Sequence, residues 1–225
     1  MHWIQRHILY QLMLTECLPY SKLKPDGVEG NLFMYHLRQL MNDGLVEKKE
    51  QLYCLSAAGR AYVDTLSLSN LRPRVQPKIV TLISLRNEAG QWLLYRRKRQ
   101  PFIGKVGFPY GKIHLGESIA EAARRELEEK TGLQASLTHV GDAYITATEE
   151  GQLISHMLTH VFTGRDPRGE LISDSEIGAC YWARIEEIKP GESFPGFRDL
   201  YGLVSIPSAE RFFREFQFDL PAGSS

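Results

Sequence analysis

Gly111 to Leu133 reads G-K-I-H-L-G-E-S-I-A-E-A-A-R-R-E-L-E-E-K-T-G-L. The stretch predicts a helix over Ser118 to Thr131, stopped by Gly132. At 3.6 residues per turn Glu126, Glu129 and position 130 share one face, while Glu128 points roughly opposite. Ile119, Ala123 and Leu127 form the neighbouring stripe expected to pack on a sheet. Carboxylates crowded on one face repel unless a cation joins them, and a hard divalent ion with oxygen ligands is the natural partner. An ion bridging a diphosphate and polarising a water is a standard way to make a phosphoanhydride electrophilic. A merely solvated helix with Glu121-Arg125 and Arg125-Glu129 pairs would account for the charges. It would not account for the glycines at both ends or their distances.

The same stretch resembles the Nudix box, G-x5-E-x7-R-E-U-x-E-E-x-G-U with U apolar. Gly111, Glu117, Arg125, Glu126, Leu127, Glu129, Gly132 and Leu133 match, and position 130 does not. Upstream, W-L-L-Y-R-R-K-R from Trp92 to Arg99 and G-K-V-G-F-P-Y-G from Gly104 to Gly111 are similar to the family's arginine-bearing strand and its glycine-rich approach to the box. The resemblance implies an α/β fold, an α/β/α sandwich around a mixed sheet, and a pyrophosphohydrolase that uses Mg2+ or Mn2+. It implies Glu126 and Glu129 as metal ligands, with the Gly111 carbonyl completing the shell. Glu126 is also the candidate base. By the same resemblance Arg125 orients a carboxylate, Glu117 braces the loop, Gly132 ends the helix, and Arg97 or Arg96 grips the substrate phosphates. Only one of those two arginines is expected to reach them, because successive strand residues face opposite ways.

Two departures matter. Lys130 stands where the family usually has its last ligand, so it either turns its stem outward or grips a phosphate in place of one metal; fewer metals follow. Tyr110 replaces a glycine, which is costly wherever the backbone needs positive φ.

Around this helix, Lys78 to Leu85 and Gln91 to Tyr95 read as paired strands. Further strands are expected at Ser136 to Thr146, Leu153 to Thr163 and Ile177 to Ile185, with a last helix from about Ser208 to Phe218. His156 and His160 lie on one strand face about 13 Å apart, too far for one ion. His114, Glu149, Glu150 and Glu176 occupy segments where Nudix proteins sometimes place an extra base, with nothing local to choose among them.

The segment N-L-R-P-R-V-Q-P, Asn70 to Pro77, reads as a linker and divides the chain into residues 1–69 and 78–225. The first part shows an apolar stripe at Ile4, Ile8, Leu9 and Leu12. A brief helix capped by Ser21 follows, then a third helix capped by Asn31 that buries Phe33, Leu37, Leu40 and Met41. A hairpin around Glu47 to Gln51 and a helix from Ser56 to about Leu66 complete it. That order, with the run Tyr35 to Lys48, resembles bacterial winged-helix regulators. The resemblance implies that the third helix offers Asn31, Tyr35, Arg38, Gln39 and Asn42 to DNA, with Lys48 and Lys49 at the wing tip near phosphates. Winged helices also serve as protein-interaction modules.

The 225 residues carry 27 basic and 27 acidic side chains, and 43% are hydrophobic, which excludes a wholly disordered chain and one held to nucleic acid by bulk charge alone. The first 76 residues hold nine basic against seven acidic side chains, a surplus too small to decide for DNA. No apolar run is long enough for a membrane span and the start lacks a signal peptide's apolar core, so a soluble, cytoplasmic protein is expected. Cys17, Cys54 and Cys180 show no paired spacing and read as buried thiols. Two functions are carried forward. One is a metal-dependent hydrolase of a nucleoside diphosphate linked to another moiety; the other is a winged-helix regulator whose Nudix-like part senses a nucleotide. Dimers are common for both parts.

Overall fold

The stripe at Ile4, Ile8, Leu9 and Leu12 is buried on α1 (Trp3–Met13) and begins the core of the first of two units, Met1–Gln76 and Pro77–Ser225. The computed structural model describes residues 1–189, 191–206 and 210–223. In the first unit, α2 (Tyr20–Leu23) and α3 (Gly30–Asn42) follow β1 (Cys17–Pro19). Then come β2 (Val46–Lys49), β3 (Leu52–Leu55) and α4 (Ala57–Asp64). Phe33, Leu37 and Leu40 of α3 pack with the α1 stripe, whereas Met41 is only partly buried. The hairpin and the helix order are compatible with a winged helix. Ser56 caps α4 by accepting from the Gly59 amide at 2.9 Å. Gly59 has no room for a side chain, since a Cβ there would lie 1.9 Å from the Leu45 carbonyl oxygen. The α3 cap falls on Glu29, so Asn31 is an exposed residue inside the helix, and α2 begins after Pro19 rather than at Ser21.

The cysteine expectation fails for two of three. β1 adds a third strand to the sheet, pairing antiparallel with β3 so that Cys17 faces Cys54, and the two form a disulfide. Residues 37 apart meet through strand register, which spacing does not display. Cys180 alone is a buried free thiol. The expected linker is also partly structured: the amides of Leu71 and Arg74 donate to Ser67 and Thr65 carbonyls, folding residues 71–74 back on the end of α4.

In the second unit, β4 (Lys78–Leu85) runs between β7 (Tyr110–Lys112), antiparallel to it, and β9 (Gln152–Arg168), parallel to it. β8 (Gln134–Glu149) pairs antiparallel with β9, and β11 (Phe212–Leu220) closes the mixed five-stranded sheet parallel to β8. A second, antiparallel sheet has β5 (Trp92–Arg97) between β6 (Val106–Gly107) and β10 (Gly178–Ala183). Strand alternation sends side chains into two cores. Leu82 and Leu94 join one core with α6 (Phe197–Ser205), while Ile83, Leu85, Leu93 and Tyr95 join the other with Leu127 of α5 (Ile119–Thr131). The helix α5 is therefore seated on the sheets through Ala122, Ala123, Glu126 and Leu127; Ile119, expected in that stripe, is 39% exposed at the first turn.

Beyond α6 the chain departs from expectation. Phe212, Phe216 and Phe218 recur at a period of two and pack from β11 onto the first core, so Phe212 to Phe218 is strand, not helix. Ser208, the expected start of that helix, lies outside the described residues. The helix of this region is α6, which the prolines and glycines flanking Phe197 conceal. No described helix is long and apolar enough to cross a membrane.

Candidate active site

The box residues converge because both ends of α5 are fixed. Ser118 and Glu121 form a reciprocal cap at the start, and Gly132 takes φ 70 at the end, the left-handed turn that glycine adopts without penalty. From the residue before the cap, Glu117 reaches Arg125. The guanidinium donates from Nε to Glu117 Oε2 at 2.9 Å and from Nη2 to Oε1 at 2.6 Å, a two-pronged fork. Nη2 also donates to the Lys112 carbonyl at 3.0 Å, tying the helix to β7. Nη1 donates to Glu126 at 2.9 Å and to Glu129 at 3.1 Å. Arg125 thus gathers all three box carboxylates. Its hydrogen bonds, with that of the His114 amide, hold the Glu117 carboxyl at about 2, and Glu117, Glu126 and Glu129 in turn raise Arg125.

Glu126 is 7% exposed and lies flat on Gly111. A Cβ at Gly111 would fall 1.7 Å from the Glu126 carboxyl carbon, so no side chain fits there. Glu129 is the open member, with 59% of its side chain exposed. Glu128 bonds Gln134 instead, as the helical phase requires.

Lys130 does not turn outward. Its ammonium lies 3.1 Å from Glu126 Oε2 and over the rings of Tyr110 and Tyr95, at 5.1 and 5.6 Å from their centroids. Burial lowers its pKa against the opposing pull of Glu126. Tyr110, expected to strain the backbone, is an extended residue of β7 opposite Leu82, so no glycine is needed there. Its hydroxyl accepts from Arg97 Nη1 at 2.6 Å, and Arg97 also donates to the carbonyls of Arg99 and Gln100. Arg97 is buried beneath the residue 97–104 loop and commits three of its five N–H groups to the protein. Arg96, on the opposite strand face, bonds the Gly104 carbonyl and Tyr181. Of the two, only Arg97 faces the Tyr110–Lys130–Glu126 series.

Sequence reading missed Tyr95, which looks like any core residue of its strand. It also missed a basic group around Lys78, whose pKa is lowered by burial and by the charges of Arg97, Lys112 and Arg99. That group assembles from three strands and leaves no local pattern. His114 serves through its backbone amide, Glu149 ends β8, Glu150 takes a left-handed turn at φ 50, and Glu176 is exposed before β10. In the first unit Tyr35, Arg38, Asn42, Lys48 and Lys49 are exposed. Gln39 is held by Tyr35 at 2.9 Å and by Gln5 at 3.1 Å, and Lys49 pairs with Glu47 at 2.9 Å.

The donor set of Glu126, Glu129 and the Gly111 carbonyl suits a hard divalent ion, and the missing Cβ at Gly111 is what lets the Glu126 carboxylate lie against that backbone. Lys130 already supplies one positive charge beside Glu126, so the residues fit one ion better than several.

Known proteins are similar to this chain over its second unit. The NUDIX domain model matches residues 76–201, more than half of the chain. An oxidized purine nucleoside triphosphate hydrolase of Danio rerio is 30% identical over 142 residues, covering 63% of this chain and 86% of its own. An ADP-ribose pyrophosphatase of Methanocaldococcus jannaschii is 27% identical over 55% of this chain and 65% of its own. Among solved structures, a MutT protein of Bacillus halodurans shares the fold at a TM-score of 0.53 and 24% identity, covering 63% of this chain and 90% of that one. With the box built as described and the domain matched across it, the chain belongs to the Nudix family and is a Nudix-type hydrolase.

Proposed function

We propose that the second unit cleaves the pyrophosphate bond of a nucleoside diphosphate linked to another moiety, with Mg2+ or Mn2+, and that the first is a winged-helix module fused to it. The observation that carries this is the buried Glu126 carboxylate on its glycine cradle, with Arg125 drawing Glu117 and Glu129 to the same point. Water attacks phosphorus and the bridging P–O bond breaks. Glu126 and Glu129, with the Gly111 carbonyl, would hold the ion. When bound, it offsets phosphate charge and makes a coordinated water more acidic. Glu126 takes the proton of the attacking water. Arg125 keeps the carboxylates aimed. Lys130 and the two N–H groups left on Arg97 offer donors to phosphate oxygens, and Arg96 contributes from the loop side. The activities for which the relatives are named, on oxidized purine nucleoside triphosphates and on ADP-ribose, support a nucleotide substrate.

The test is product release from a panel of dinucleotides, nucleotide sugars and oxidised nucleoside triphosphates with magnesium or manganese. Turnover of at least one class, lost in Glu129→Gln, is expected; equal turnover by that variant removes α5 from the reaction.

A second reading, a nucleotide-sensing regulator, is favoured by the exposed Tyr35, Arg38 and Asn42 on α3 and by Lys48 on the hairpin. Under it, binding to genomic DNA fragments falls steeply with salt and changes with nucleotide. Absence of any sequence preference at every salt concentration counts against it.

A further inference from the structure

Outside the box, His139, Asp142 and His160 bring three ligating atoms within 4.8 Å of one another on the β8–β9 ribbon. Asp142 and His160 are direct cross-strand partners and so share a sheet face. His139 precedes Asp142 by three residues, and in a regular strand it would point to the other face. The register shift between His139 and Gly141 inserts one residue and turns His139 to the same side, which is how bulges re-aim side chains. As a result Asp142 Oδ1 lies 2.8 Å from His139 Nε2 and 2.7 Å from His160 Nδ1. The His139 ring is set against Phe162 at 5.2 Å between centroids. None of the three is sealed off, with side-chain exposures of 23%, 33% and 12%.

Two imidazole nitrogens and one carboxylate oxygen within 4.8 Å of one another are the donors of a borderline divalent transition ion rather than of magnesium. We propose that His139, Asp142 and His160 form a second metal site, which takes an ion of the zinc class and leaves further coordination positions to solvent. Bonds of about 2.1 Å set neighbouring ligands roughly 3.4 Å apart in a tetrahedral shell, so each nitrogen withdraws from Asp142 by about 0.6 Å while the two nitrogens, within 4.8 Å of each other, move toward that same spacing. A zinc-class ion would take the place of the proton that each imidazole nitrogen now shares with Asp142 Oδ1, so uptake releases protons. This site shares no residue with the box, so it stands whether or not the proposed hydrolysis is correct.

The test is zinc titration calorimetry on the full chain after chelator treatment, with cobalt absorption as a second reading of nitrogen ligation. Glu126→Gln/Glu129→Gln, which lacks the box site, is expected to take up one zinc ion, with affinity at least about tenfold lower when His139→Gln or His160→Gln is added. No uptake, equal affinity in the histidine variants, or loss in the glutamate variant alone would overturn the proposal. If the histidine variants do not fold, zinc-edge anomalous scattering from wild-type crystals decides: a peak among the three atoms supports the site, and its absence in zinc-soaked crystals refutes it.

Discussion

Arg125 and Lys130 stand on the same helix and touch the same carboxylate, yet they hold it in opposite ways. Arg125 sits at the rim, and its guanidinium is filled by Glu117, Glu126, Glu129 and a backbone carbonyl. Lys130 reaches Glu126 from within, under two tyrosine rings, where burial disfavours its charge. A planar fork with matched acceptors is a fixed strut; a compact ammonium on a flexible stem can be displaced. The difference assigns the positioning of the carboxylates to Arg125 and the setting of local charge to Lys130.

The largest effect should come from the group they share. Glu126→Gln keeps the shape but removes the charge and the proton acceptor. Turnover of the substrate found in the panel is expected to fall by about a thousandfold, some 4 kcal/mol of transition-state stabilisation, with the far-ultraviolet circular dichroism unchanged. Next is Gly111→Ala, which places a methyl inside the Glu126 carboxylate. Denaturant unfolding should show a loss of about 1–3 kcal/mol, and activity should fall with it, because Glu126 is expelled from between its two cations. A variant with wild-type stability would mean that the carboxylate does not rest on Gly111.

Lys130→Glu sharpens the contrast between the two cations. It restores the acidic residue the family usually has and removes an ammonium 3.1 Å from Glu126. Manganese titration should rise from about one ion per chain to about two, while the metal-free variant should melt lower than wild type, since four carboxylates then share Arg125 as their cation. An unchanged stoichiometry would show that Lys130 does not stand in for an ion.

The contrast also marks how far the chain's chemistry is legible in one dimension. The box, the face shared by Glu126 and Glu129, the caps at Ser118 and Gly132, and the α1 and α3 stripes are all local, and periodicity displays them. What eluded reading is made by register. Cys17 meets Cys54 across β1 and β3, Asp142 meets His160 across β8 and β9, and Lys78 gathers charges from separate strands. The C-terminal misreading has a different cause. Phe212 to Leu220 carries two periods at once, and only pairing with β8 selects the strand. The sequence leaves open whether Lys130 turns outward or grips a phosphate, because the aromatic bed that accepts it, Tyr95 and Tyr110, comes from two other strands.

The smallest expected effect tests the strut. Glu117 has its carboxyl lowered from 4.5 to about 2 by the Arg125 hydrogen bonds and the His114 amide. A carboxyl lowered by folding contributes stability that is complete above its unfolded value and is lost as pH falls toward the folded one. The window therefore runs from about 4.5 down to about 2. Glu117→Gln should melt slightly below wild type at pH 6, and the two melting temperatures should converge as the pH is lowered through that window. Because the fork is solvent-accessible, added salt should narrow the gap at pH 6 as well. A gap that persists at pH 2 would mean that Glu117 supports the loop by its shape rather than by its charge, and Arg125 would then no longer be the strut that sets it apart from Lys130.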